Sequence, residues 1–123
     1  MSACPAGLVI AIDGPAGAGK STVARLLAEQ LRFAFLDTGA LYRCVTLAVL
    51  QAGLDTRDQS AVSQLAKSLH MELSGPTAWL NGQDVSQAIR APHVASAIGA
   101  IADNTEVRQQ LTQWQRDWAR GRC

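Results

Sequence analysis

Eight residues near the start of the chain have the types and spacing of a phosphate-binding loop. Residues 14–21 read Gly-Pro-Ala-Gly-Ala-Gly-Lys-Ser, which fits the P-loop pattern G-x-x-x-x-G-K-[ST]. Glycines carry no Cβ, so such a loop can curl until its backbone N–H groups face one anion. In this pattern the lysine brings a positive charge to the β- and γ-phosphates, and the serine hydroxyl binds a magnesium ion. Lys20 is therefore the candidate catalytic residue, and Ser21 the candidate metal ligand.

The residues on either side favour a nucleotide site over a glycine-rich turn that matches by chance. An apolar run precedes the loop at residues 8–12, and a helix-compatible stretch follows it at residues 21–31. A strand, a glycine loop and a helix N-terminus together form an anion site. The residues expected to bind the nucleotide phosphates are Gly14, Pro15, Ala16, Gly17, Ala18, Gly19, Lys20, Ser21 and Thr22.

The hydrophobic pattern of the first third predicts an α/β fold with parallel strands. Residues 8–13 and 33–36 are short apolar runs separated by a helical stripe, which is the pattern of a βαβ unit with a right-handed crossover. Residues 39–50 predict a further helix. Either Asp37 or Thr38 has the side chain to cap its first turn.

The pattern changes after residue 53, and no further run of a buried parallel strand follows. Asn81-Gly82 is a strong hairpin signal, because a type I′ turn needs positive φ at both central residues. The sequence therefore predicts a small antiparallel element inside a chain that begins as parallel α/β. The elements predicted here are a helix over residues 58–69, strands over residues 71–73 and 78–80, and helices over residues 92–102 and 105–120.

Composition is that of a soluble globular protein of one domain. The 123 residues are 48% hydrophobic and 17% charged, with a net charge of +1, so no strong field favours nucleic acid or a membrane surface. Apolar runs are too short to span a bilayer. Cys4, Cys44 and Cys123 fit neither a disulfide framework nor a zinc site. We expect a cytoplasmic protein with reduced thiols and with neither nucleic acid nor membrane as partner.

A second cluster of polar residues directly follows the run at residues 33–36. In parallel α/β folds, ligands lie beyond the carboxyl ends of the strands, so this cluster and the P-loop would open on the same crevice. Thr38 offers a hydroxyl, and Arg43 a bidentate guanidinium suited to a second phosphate. Two interpretations remain open. These side chains contact a ligand, or Thr38 only caps the helix while Arg43 only pairs with a surface carboxylate.

The two clusters together resemble bacterial cytidylate kinase. The resemblance is carried by residues 12–22 and 36–43 and continues through residues 80–90, 107–108 and 115–116. It therefore spans essentially the whole chain, well beyond a shared P-loop. The family it points to transfers the γ-phosphoryl of ATP to CMP or dCMP with Mg²⁺.

The resemblance also implies a fold and its division. It implies a P-loop NTPase three-layer core with a parallel sheet, incomplete in this chain. The core would comprise residues 1–53 and 105–123, and a small α+β insert that binds the nucleoside monophosphate would comprise about residues 54–104. A monomer is expected for the full-length protein.

The same resemblance assigns residues to the two substrates. Residues 14–22 would hold ATP. Asp37, Thr38 and Arg43 would contact CMP, and Arg108 would lie at the mouth of the CMP site.

The chain resembles the N-terminal half of such a kinase, because the family continues to a Gly-Arg-Asp segment and an arginine-bearing lid. We therefore expect these 123 residues alone to lack measurable kinase activity. Two rivals stay open beside a cytidylate kinase. One is another small-molecule P-loop kinase, and the other is a nucleotide-binding fragment without catalysis.

A first prediction concerns Lys20. In the complete kinase, Lys20→Met should lower the rate of phosphoryl transfer by roughly 10²-fold or more, because it removes a charge aimed at the phosphate in the transition state. The measurement is kcat in a coupled assay for ADP, with circular dichroism to verify the fold. Near-normal turnover in this variant would contradict the assignment of residues 14–21.

Overall fold

The structure is a computed structural model, and it describes the greater part of the chain after residue 35. None of the helices in that part is long and apolar enough to cross a membrane. The residues described are 26–27, 29–30 and 36–120.

The P-loop and most of the predicted parallel sheet lie outside the described residues. The strand predicted over residues 8–13 lies outside the described residues, and so does the strand predicted over residues 33–36 except for its last residue. Leu36 is described and has no regular secondary structure. Residues 26, 27, 29 and 30 are helical, in agreement with the helix predicted after the loop. The parallel strands stay a prediction.

Helices dominate the described part, and each helix and strand predicted after residue 37 is confirmed to within one residue at either end. In chain order the elements are α1 (Thr38–Gln51), α2 (Gln59–Ser68), β1 (Met71–Ser74), β2 (Thr77–Leu80), β3 (Gln83–Asp84), a 3-10 helix (Ala88–Arg90), α3 (Pro92–Ala102) and α4 (Thr105–Arg120).

Helix α1 lies at the centre of the core. A helix with apolar residues on most of its sides has to be interior, and α1 contacts α2, α3, α4, the 3-10 helix and β2. Thr46 is a polar residue buried within it, and its Oγ1 donates to the carbonyl of Tyr42 at 2.7 Å. The buried hydroxyl is thus paired within the helix itself. The buried residues of α1 are Ala40, Leu41, Cys44, Val45, Thr46, Leu47, Ala48 and Val49.

The small sheet confirms the predicted hairpin. Asn81 has φ +52° and Gly82 has φ +82°, the positive values that a type I′ turn requires. This turn joins β2 to β3, and β2 also pairs with β1, so the sheet order is β1-β2-β3 with antiparallel neighbours. The alternation of strand side chains turns one face to the core. The inward residues of β1 and β2 are Met71, Leu73, Ala78 and Leu80.

A buried asparagine joins α2 to the start of α4. Asn104 is 1% exposed, and its Oδ1 accepts hydrogen bonds from the backbone N–H groups of Glu106 and Val107 at 3.1 and 3.3 Å. The same Oδ1 accepts from the Ser63 hydroxyl at 3.3 Å, and Nδ2 donates to the Gln59 carbonyl at 3.1 Å. Asn104 is thereby the cap of α4 and the link to α2.

The helices predicted for the P-loop core pack directly on those predicted for the insert. α1 packs most extensively on α3, and α4 on α2. Buried side chains from all four helices and from the sheet belong to one hydrophobic cluster. The division between a core and an insert stays a prediction, since the parallel sheet that would define the core is not described.

We expect Asn104→Ala to lower the free energy of unfolding by about 2–3 kcal/mol, because it removes a helix cap and leaves buried backbone groups unpaired. Asp58→Ala is the matched control. Asp58 caps α2 through the N–H of Ala61 at 3.2 Å but is exposed, so its loss should cost about 1 kcal/mol. Urea unfolding followed by circular dichroism measures both. Equal losses would show that the buried link to α2 adds nothing.

Candidate functional site

Asp37 is the residue that caps α1. Its backbone is extended, with φ −84° and ψ 96°, and its Oδ1 accepts a hydrogen bond from the N–H of Ala40 at 3.3 Å. Thr38 is instead the first helical residue. Its side chain is exposed and makes no hydrogen bond within the described part of the chain. The choice between the two capping residues is thus settled for Asp37, and the Thr38 hydroxyl faces outward.

Arg43 reaches back to this cap. Its Nη2 lies 3.4 Å from the Oδ2 of Asp37, and the two side chains are 26% and 33% exposed. Helical side chains lean toward the N-terminus, which lets a long arginine reach a carboxylate six residues earlier. Each oxygen of the Asp37 carboxylate then has a partner, one in the helix backbone and one in the guanidinium.

The Arg43 guanidinium retains donors beyond the one that it gives to Asp37. Its Nε is buried and has no hydrogen-bond partner among the described residues. A buried donor left unpaired costs about 1–3 kcal/mol, so an acceptor at this point would be favoured. The first N–H groups of α1 also have no acceptor within the helix. The guanidinium and the helix start together suit an anion.

Gly39 lies under the Arg43 guanidinium. A Cβ on Gly39 would stand 3.0 Å from Nη1 of Arg43 and 3.2 Å from Oδ1 of Asp37. The sequence motif did not predict a role for Gly39. Its position between a capping aspartate and an arginine four residues later is the one signal that the sequence offers.

Arg108 is not joined to the cluster at the start of α1. It lies in the first turns of α4 with an exposed side chain, and its backbone N–H donates to the carbonyl of Asn104 at 3.0 Å. Within the described residues, its side chain shares no ion pair with Asp37. Lys20, Ser21 and the rest of the loop lie outside those residues, so their role in the site stays a prediction.

A separate groove lies between β1, β2 and the second half of α4. Its volume is about 290 Å³. Glu72 is the charged residue in its lining, which makes the groove unsuited to a phosphate. Trp114 is partly buried and packs against the hydrophobic cluster. The lining residues are Met71, Glu72, Leu73, Ser74, Trp79, Trp114 and Trp118.

Cys44 lies beside Arg43 on α1 and is buried. Burial raises the pKa of its thiol to about 11, and the neighbouring Arg43 charge lowers it only in part. The nucleophilic form of cysteine is the thiolate. Cys44 is therefore neutral near pH 7 and acts as a small apolar residue.

The described residues contain no group of three or more His, Cys, Asp or Glu side chains that could hold a metal ion. Ser21, the predicted magnesium ligand, lies outside them. Its fit to a metal stays a prediction.

Comparison with known proteins identifies the family. The family model for cytidylate kinase matches residues 10–122. A cytidylate kinase of Caldanaerobacter subterraneus subsp. tengcongensis is 43% identical over 113 residues, which are 92% of this chain and 50% of the relative. A cytidylate kinase of Solibacter usitatus is 47% identical over 110 residues, covering 89% of this chain and 47% of the relative. A bifunctional pantoate ligase/cytidylate kinase of Nostoc sp. is 47% identical over 119 residues, covering 91% of this chain and 22% of the relative.

The chain therefore belongs to the cytidylate kinase family, as its two motifs indicated, and the family implies a P-loop NTPase fold. It is a family of ATP-dependent phosphotransferases. The chain spans about half the length of the curated cytidylate kinases that it matches.

Proposed function

We propose that this protein is a kinase that transfers the γ-phosphoryl of ATP to CMP or dCMP, giving CDP or dCDP in pyrimidine nucleotide metabolism. The observation that carries the proposal is the Arg43 guanidinium at the start of α1. Its Nη2 lies 3.4 Å from Asp37, and its buried Nε has no hydrogen-bond partner among the described residues. Relatives at 43–47% identity bear the name cytidylate kinase. The proposal includes a cytoplasmic protein that is monomeric at full length.

Arg43 would bind the phosphate of the acceptor nucleotide. A guanidinium forms charge-assisted, bidentate hydrogen bonds with phosphate oxygens, and the N-terminus of α1 adds N–H groups and a partial positive charge. The exposed Thr38 hydroxyl lies at the same helix end and would donate to the acceptor. Asp37 would act through Arg43, because its Oδ2 lies 3.4 Å from the guanidinium and its Oδ1 accepts from the first turn of α1. Arg108 would contribute at the mouth of the site.

Residues 14–22 would bind ATP, with Lys20 at the β- and γ-phosphates. Mg²⁺, held by the hydroxyl of Ser21, would supply charge neutralisation on the phosphates when bound. The proposed core around this loop is a three-layer P-loop fold with a parallel sheet, and about residues 54–104 form the monophosphate-binding insert.

The proposed reaction requires little chemistry from the protein itself. The phosphate of CMP already carries an anionic oxygen that can attack the γ-phosphorus, so no general base is needed. The residues therefore have to hold the two nucleotides in line and offset the charge on the transferring group. The Arg43 guanidinium would hold the phosphate of CMP, while the Lys20 ammonium would bind the β- and γ-phosphates of ATP.

The test is a chimaera in which this chain replaces the matching segment of the Caldanaerobacter relative. We expect it to phosphorylate CMP and dCMP, and neither AMP nor shikimate. Arg43→Ala should raise KM for CMP by roughly 30- to 150-fold, the loss of about 2–3 kcal/mol of charge-assisted bonding, with KM for ATP little changed. Arg57→Ala, an exposed arginine between α1 and α2, is the matched control and should alter neither KM.

Each rival function has its own result in this assay. A preference for AMP or shikimate would indicate another small-molecule kinase. ATP binding without turnover of any acceptor, while the intact relative is active, would indicate a nucleotide-binding protein. If Arg43→Ala raises both KM values equally, Arg43 does not belong to the acceptor site.

A further inference from the structure

We infer that Gly39 is a positioning residue for Arg43, an inference that rests on the proposed function. Its missing side chain makes the space in which the guanidinium lies against the cap of α1. The glycine would thus set the place from which Arg43 meets the acceptor phosphate, without touching the substrate itself.

The distances around Gly39 show how little room there is. The nearest atoms to a Cβ at this position are Nη1 of Arg43 at 3.0 Å and Oδ1 of Asp37 at 3.2 Å. Contacts of 3.0–3.4 Å are tighter than nine in ten of those that a real Cβ makes, so these neighbours would have to shift by a few tenths of an ångström. Oδ1 cannot retreat without weakening the cap on Ala40, and the guanidinium cannot retreat without lengthening its 3.4 Å contact with Asp37. The two neighbours hold each other in place.

A second helical glycine provides the comparison. Gly99 lies in α3 and is exposed to solvent. A Cβ at this position would have no atom within 4 Å. Replacing an unconstrained helical glycine by alanine stabilises a protein, because alanine has the higher helix propensity and loses less backbone entropy on folding. Gly39→Ala lies in the first turn of α1, where the gain in helix propensity is smaller, and its new methyl group would meet the guanidinium. The two substitutions should therefore differ, although their chemistry is the same.

The first test is a thermal unfolding series in the 123-residue chain and in the chimaera. Gly99→Ala should raise the melting temperature by roughly 4 °C, whereas Gly39→Ala should not raise it. In an Arg43→Ala background the guanidinium is gone and only the Asp37 contact remains, so Gly39→Ala should then change the melting temperature more favourably than it does with Arg43 present. An effect of Gly39→Ala that is the same in both backgrounds, in either direction, overturns the inference. If Gly39→Ala alone prevents folding, recovery in the double variant supports it and failure to recover overturns it.

The second test reads the consequence for the acceptor. In the chimaera, Gly39→Ala should raise KM for CMP by roughly tenfold, about the worth of one hydrogen bond to a charged group, and leave KM for ATP and kcat nearly unchanged. Added to Arg43→Ala, it should raise KM for CMP no further. A fall in kcat with KM unchanged would overturn the inference. If the unsubstituted chimaera fails to use CMP, the proposed function fails, while the unfolding series still decides whether Gly39 positions Arg43.

Discussion

The burial of α1 on nearly all sides is the constraint on which the rest of the described structure depends. Eight residues between Ala40 and Val49 are buried, so the three other described helices and the sheet have to surround this helix. A helix in that position cannot shift without disturbing every neighbour, because interiors are close-packed. Its first turn is consequently a fixed point. Asp37 caps that turn, and Arg43 folds back onto the cap, which places a guanidinium beside the first backbone N–H groups of the helix.

The surrounding helices are held to each other by polar links as well as by apolar packing. Asn104 makes two hydrogen bonds to α2 and two to the first turn of α4, and Gln110 donates to the Ser63 carbonyl at 3.2 Å. Buried polar groups of this kind are costly unless every partner is present. They therefore fix how α4 lies on α2. Since Arg108 is on α4, the same links determine where the residue proposed for the mouth of the acceptor site is held.

Local sequence signals were enough to predict the helices and strands after residue 37, but they did not predict how these elements pack on one another. Asn81-Gly82 specifies its turn through φ values that few other residues adopt, and Pro92 marks the start of α3 because proline suits the first turn of a helix. The motif at residues 36–43 predicted Asp37, Thr38 and Arg43 as residues of the acceptor site. Gly39 and Asn104 had no assigned role, because each acts on residues that only the fold brings close. The P-loop and the parallel strands, although clearest in the sequence, stay predictions.

We propose that the buried Nε–H of Arg43 donates a hydrogen bond to the phosphate of the acceptor nucleotide. The NMR signal of this Nε–H group reports on that bond. The resonance can be assigned by its disappearance in Arg43→Lys and followed in the ¹⁵N-labelled chain during titration. We expect CMP to shift the Nε–H resonance to lower field, because a new hydrogen bond forms to a charged oxygen, and cytidine to leave the resonance in place. CMP that binds without moving this resonance, or cytidine that moves it equally, would show that Arg43 does not bind the acceptor phosphate.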